Sequence, residues 1–148
     1  MNVSLILIAN LTLYLIALTL AEECSDFIDN RAELRRRVGS ELVVKLTKHF
    51  IDRFLQRRAR DYKKIDLNLL ENIAYNVLRD GEYYATTNSI IVFHPTYTVI
   101  SCFDGEYLVL KTIIKTSELE EKIRRLMRKA RKIKWKNIII MTPSMKRR

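Results

Sequence analysis

The chain is 148 residues long with a formal net charge of +10 and a hydrophobic share of 48%, which bounds it to one ordinary domain with a real core. With 3 glycines, 2 prolines and 2 cysteines, it excludes glycine-rich phosphate loops, low-complexity linkers, a zinc cage and a disulfide-rich scaffold. A surplus of 27 Lys and Arg over 17 Asp and Glu favours a polyanionic partner, nucleic acid or anionic lipid, over a merely solvated surface, because each cation set beside a phosphate releases a counterion.

In chain order, the first element is the uncharged run from Val3 to Ala21, VSLILIANLTLYLIALTLA. At about 1.5 Å per residue it nearly matches the roughly 30 Å of a bilayer core. It lacks the charged face of a soluble core helix, so it predicts one continuous helix with few contacts to the rest. Two readings stay open: a signal peptide cut after Ala21, or an uncleaved single-span anchor. No Lys or Arg precedes the run, which counts against the signal peptide. If the segment is an anchor, Arg31 and Arg35–Arg37 downstream place the domain on the cytoplasmic side; if it is cleaved, the domain is secreted. Cys24 and Cys102 fit unpaired buried thiols as well as a disulfide of an exported domain.

Residues 22–41 form a linker with a short helix, capped by Ser25 or Asp26, running towards Val38 and stopped by Gly39. Leu42–Leu46 is a brief strand. A helix from about Lys48 to Arg60 buries Phe50, Ile51, Phe54 and Leu55. Asp66 caps a second helix, whose apolar positions Leu67, Leu70, Ile73, Ala74, Val77 and Leu78 recur with the helical period and which ends at a left-handed Gly81. Beyond Gly81 the texture turns to β: Tyr83–Thr86, Ser89–His94, Tyr97–Phe103 and Glu106–Lys115, with a tight turn at Asp104–Gly105. Ser117 and Glu120 make a capping box for a final helix, apolar at Leu119, Ile123, Leu126, Met127, Ala130 and Ile133 and otherwise basic. Asn137–Met141 adds a last strand. The predicted class is α+β, with helices packed on an antiparallel meander followed by a basic C-terminal helix. The units run 1–21 (leader or anchor), 22–41 (linker), 42–115 (the compact domain) and 116–148 (basic helix and tail).

The residues suited to chemistry lie in the first of these domain helices. His49, Arg53 and Arg57 are spaced by four, so they project from one helix face, expected opposite Phe50 and Phe54. An imidazole that moves protons near neutral pH, beside guanidiniums that grip a phosphate, suits phosphodiester chemistry. One His among several Arg on an exposed helix of a basic protein also arises by chance. Strand alternation along Glu106–Lys115 puts Thr112 on one face with Leu108, Leu110 and Ile114, towards the helices if that face is the covered one.

Thr47-Lys48-His49 with Arg53 and Arg57, then Leu78-Arg79-Asp80-Gly81, then Leu110-Lys111-Thr112-Ile113 together resemble the ribonuclease superfamily that groups barnase, EndoU, colicin D and RelE-like toxins. The resemblance covers about Leu42 to Lys115. It implies RNA cleavage without metal or cofactor, through attack of the substrate's own 2′-hydroxyl on the neighbouring phosphorus. His49 would be general base or acid, Arg53 and Arg57 would hold the phosphate, and Thr112 would hydrogen-bond one of its oxygens. RNA is then the partner, with an antidote protein as a second. The chain departs from the family where a glycine turn is usual, carrying a basic insertion from Arg58 to Lys64 instead.

Candidate nucleic-acid contacts are Arg58, Arg60, Lys63 and Lys64 in that insertion, and Arg124, Arg128 and Arg131 on the last helix. Tyr83, Tyr84, Tyr97 and Tyr107 offer rings for unpaired bases, although strand tyrosines mostly pack on their sheet. His94 fits a loop histidine, and Trp135 either an interface or the core. The competing function is a non-catalytic, membrane-associated protein that binds nucleic acid or anionic lipid through its basic surface. One geometric feature separates the two: whether Thr112 lies beside His49.

Overall fold

The computed structural model describes residues 28–58 and 67–142 of the chain. Its elements are α1 (Asn30–Arg37), β1 (Glu41–Leu46), α2 (Lys48–Arg58), α3 (Leu67–Asp80), β2 (Glu82–Ala85), β3 (Ile90–Phe93), β4 (Tyr97–Asp104), β5 (Tyr107–Lys115), α4 (Glu121–Leu126), β6 (Arg131–Lys132) and β7 (Asn137–Met141). Short 3-10 turns at Thr116–Glu118 and Met127–Lys129 flank α4. The class is mixed α+β. The expected helix over Val3–Ala21 and the Asp66 cap lie outside the described residues.

The strands form one seven-stranded sheet in the order β6-β2-β3-β4-β5-β1-β7. From β2 to β5 it is the expected antiparallel meander. β1 differs: it lies parallel to both β5 and β7. The sheet is also strongly curled. Lys132 of β6 and Asn137 of β7 are five residues apart in sequence, a reach of about 17 Å. Yet they sit on opposite edges of seven strands, which would lie about 29 Å apart if the sheet were flat.

The concave face holds the main core. Phe50, Ile51 and Phe54 of α2 and Leu70, Ala74, Val77 and Leu78 of α3 pack there against Leu42, Val44, Leu46, Val99, Phe103, Leu108 and Leu110. Leu55, expected on the buried side, is 38% exposed. On the convex face a smaller cluster of Ile91, Phe93 and Leu119 sits under Ile123, Leu126, Met127 and Ala130. The continuous helix expected over Ser117–Lys132 is therefore broken. Ile133 belongs to the concave core while Ile123 and Leu126 belong to the convex cluster, and one straight helix cannot bury side chains on both faces of a sheet. The chain leaves the helix after Leu126, and Arg131–Lys132 pairs with the edge of β2. The Ser117–Glu120 capping box does not form; Glu120 is itself the N-cap of α4, without a side-chain bond.

Local chemistry explains the other departures. α1 begins at Asn30 rather than near Ser25, with the Asp29 carboxylate accepting from the Arg31 N–H at 3.0 Å. Gly81 does not take a left-handed φ; Gly39 and Gly105 do. A Cβ on Gly81 would stand 2.4 Å from the Val77 carbonyl oxygen and 2.9 Å from that of Phe93, so close backbone approach selects glycine there. Asp104 pairs with Tyr107, making Gly105 and Glu106 the central turn residues. Only Gly105, at φ +60°, is positive, which is the type II′ pattern.

Candidate functional site

Thr47 sets α2 in place. Its hydroxyl accepts the Phe50 N–H at 3.0 Å and donates to the Leu110 carbonyl at 3.2 Å. It thus caps the helix and ties it to β5. His49 and Arg53 follow on α2, both half-buried. They flank the Phe50–Phe54 stripe rather than oppose it, because consecutive residues of a helix with 3.6 residues per turn stand only about 100° apart around its axis. Arg57 and Arg58 belong to the last turn of α2, but their side chains, with Arg60, Lys63 and Lys64, lie outside the described residues.

Thr112 does not join His49 and Arg53. A β-bulge interrupts the β4–β5 ladder: Ile100 pairs with Thr112 and Ser101 with Leu110, leaving Lys111 as the extra residue. The bulge resets the strict alternation expected along Glu106–Lys115. Leu108 and Leu110 face the concave core, and beyond the bulge it is Ile113 that returns to it. Ile114 packs with the convex cluster, and Thr112 shares its side of the strand. The sheet therefore separates Thr112 from α2, and the expected surface of His49, Arg53 and Thr112 does not assemble.

The tyrosines divide. Tyr83 and Tyr97 are buried. The Tyr83 hydroxyl donates to the Leu78 carbonyl at 2.6 Å, its ring meets Trp135 edge-on at 5.9 Å, and burial pushes its pKa up. Tyr97 stands 6.3 Å from Phe54. Neither ring is available to a base, and Trp135 packs against the main core. Tyr107 lies under the Lys45 ammonium at 5.1 Å. His94 is structural: its Nδ1 accepts the Thr96 N–H at 3.2 Å and its carbonyl accepts from the Thr116 hydroxyl. Among the described residues no group of three His, Cys, Asp or Glu could hold a metal ion, and no helix is long and apolar enough to cross a membrane.

The structure gathers charge elsewhere. Between Glu121 and Lys136 nine Lys or Arg stand against one acid, and the side chains of Lys122, Arg125, Arg128, Lys129 and Arg131 are exposed. None of these five enters an ion pair among the described residues. Arg124 is different. Its guanidinium donates to the carbonyls of Leu119 at 3.2 Å, Thr116 at 3.2 Å and Ser117 at 3.0 Å, so it fastens α4 to the preceding turn. Lys132 is likewise engaged, donating to the Asp80 carbonyl at 2.7 Å. The sequence marked Arg128 and Arg131 but not Arg125, and nothing in helical spacing distinguished Arg124 as a clamp.

Compared with protein-family models, curated proteins and solved structures, the chain matches none.

Proposed function

We propose that the chain is a non-catalytic binding domain that holds nucleic acid on the basic strip of Lys122, Arg125, Arg128, Lys129 and Arg131. The observation carrying this reading is that these five exposed cations lie within ten residues of chain with no described anionic partner. A surface that repels itself in this way is relieved by a polyanion, and the gain comes from counterion release. Replacing Arg125, Arg128 and Arg131 together by Ala should lower the slope of log K against log salt by about 2 to 3, the worth of three phosphate contacts. Arg124 is left intact because it fastens α4. An unchanged slope on single-stranded RNA and on duplex DNA refutes the reading. If the triple variant instead loses only its binding to phosphatidylserine vesicles, the strip serves a membrane surface.

A second reading remains for α2, from the ribonuclease-toxin resemblance. It keeps His49 as general acid or base with Arg53 and Arg57 on the phosphate, and gives up Thr112. The half-buried placing of His49 and Arg53 on one flank of a capped helix favours it. The products would be 2′,3′-cyclic phosphate ends formed in the presence of EDTA. His49→Ala should then lower cleavage by roughly two to four orders of magnitude. An antidote protein would be a partner of this activity alone.

A further inference from the structure

α4 covers only part of the convex face, over β2 and β3. On the rest of that face lie Ile100, Cys102 and Val109, which are 7%, 0% and 4% exposed yet belong to neither apolar cluster. Cys102 pairs across the strands with Val109, which pairs with Lys45 of β1. Further along the same face Ile139 and Met141 of β7 are each 40% exposed. One covalent fact bears on this half-face. Cys102 is disulfide-bonded, and the only other cysteine of the chain is Cys24.

We propose that Cys24 is the partner of Cys102, so that a Cys24–Cys102 disulfide ties the N-terminal part of the chain to this half-face. The path of the described chain supports the reach. The Asn30 N–H and side-chain amide both donate to the Thr87 carbonyl, at 3.1 and 3.0 Å, while its side-chain oxygen accepts from the Phe103 N–H at 2.7 Å. The start of α1 is therefore fixed beside the residue that follows Cys102. Asn30 lies six positions beyond Cys24, a span of up to about 20 Å, ample to reach from there to Cys102.

Forming the bond removes two protons and two electrons from the Cys24 and Cys102 thiols. A disulfide oxidant, such as oxidised glutathione or a dithiol-exchange protein, takes up both and leaves as two thiols. Such bonds persist in oxidising compartments and are rare in the cytosol. The domain thus matures on the exported side, contrary to the cytoplasmic placement that counting Arg31 and Arg35–Arg37 implies. Cleavage before Glu22 or retention of the leader leaves the bond unchanged, since Cys24 lies beyond the cut.

The test uses the full chain purified without reductant and denatured before alkylation with iodoacetamide. No adduct should form until reductant is added, after which two should form, and digestion should yield a reducible peptide pair joining Cys24 to Cys102. Two adducts without reductant, or a reducible dimer joined through Cys102, overturn the proposal. Because Cys102→Ser leaves a polar group in an apolar site, Cys24→Ser is the informative variant. It should melt on the order of 10 °C below the oxidised parent, the effect of opening a long cross-linked loop, and at the same temperature as the reduced parent. Equal melting of Cys24→Ser and the oxidised parent would falsify the pin.

Discussion

Asn30 carries more of this fold than its polarity advertises. β3 ends before β4 does, and where the ladder stops the Asn30 side chain takes over, accepting from Phe103 and donating to Thr87. It is 1% exposed, and its bond from the Phe103 N–H is buried, made without competition from water. Asn30→Ala should cost about 1 to 3 kcal/mol, since the buried Phe103 N–H loses its partner while the Thr87 carbonyl keeps the backbone N–H of residue 30; urea unfolding measures it, and a loss below 0.5 kcal/mol (about half a typical hydrogen bond) would contradict this role. Glu33 acts at the same scale through charge. Hydrogen bonds from Arg36 and then Arg37, at 2.8 and 2.7 Å, hold its carboxyl below the ordinary 4.5. The folded state therefore binds this proton more weakly than the unfolded one. The stabilisation is present above pH 4.5 and fades as pH falls through the lowered value. Glu33→Gln should flatten the acid limb of the stability profile and leave the slope between pH 6 and 8 (well above the carboxylate range) unchanged.

Elements here are shaped by their junctions. Where α3 ends against β3, Gly81→Ala must move the Val77 carbonyl of α3, 2.4 Å from the new Cβ, and the Phe93 carbonyl of β3, 2.9 Å from it. Overpacking against backbone of this kind costs about 1 to 3 kcal/mol, and a circular-dichroism melt should show it as a lowered midpoint. The β4–β5 hairpin is held from outside as well as by its turn. Arg37 donates to the carbonyls of Gly105 and Glu106, and its guanidinium lies 4.8 Å over the Phe103 ring, so α1 clamps the hairpin tip. The bulge at Lys111 is the junction with functional weight. It returns Ile113 to the core and turns Thr112 away from α2, which divides the residues expected to act together.

At the scale of the molecule, the curl of the sheet brings its first and last strands together and lets α2 and α3 fill the concave side. β7 closes this arrangement by pairing with β1 over Glu41–Lys45. Ending the chain before Asn137 should leave β1 as an open apolar edge. The truncated protein is expected to aggregate at concentrations where the parent stays monodisperse by light scattering; a soluble, monodisperse truncation would show that β7 is dispensable. The two functional readings lie on opposite sides of the sheet, α2 on the concave layer and the basic strip on the convex one. Charge changes on the strip should therefore leave any RNA cleavage by α2 unaltered at saturating substrate.

Local patterning was enough to locate most of the elements, though not β6. Helical periodicity placed α2 and α3, turn residues delimited β2 to β5, and a run of three isoleucines marked β7, because these signals are written in neighbouring residues. The basic surplus was equally open to reading, since charge needs no coordinates. Three things depended on contacts between distant segments. The parallel insertion of β1 between β5 and β7 is a pairing across most of the chain, with no local trace. The broken C-terminal helix follows from Ile133 and Ile123 being buried on different faces of one sheet. The position of Thr112 follows from a single extra residue against β4, and a period of two carries no memory of where a bulge will shift it. The proposed catalytic surface relied on an uninterrupted alternation, whereas the basic strip relied only on exposed side chains close in sequence.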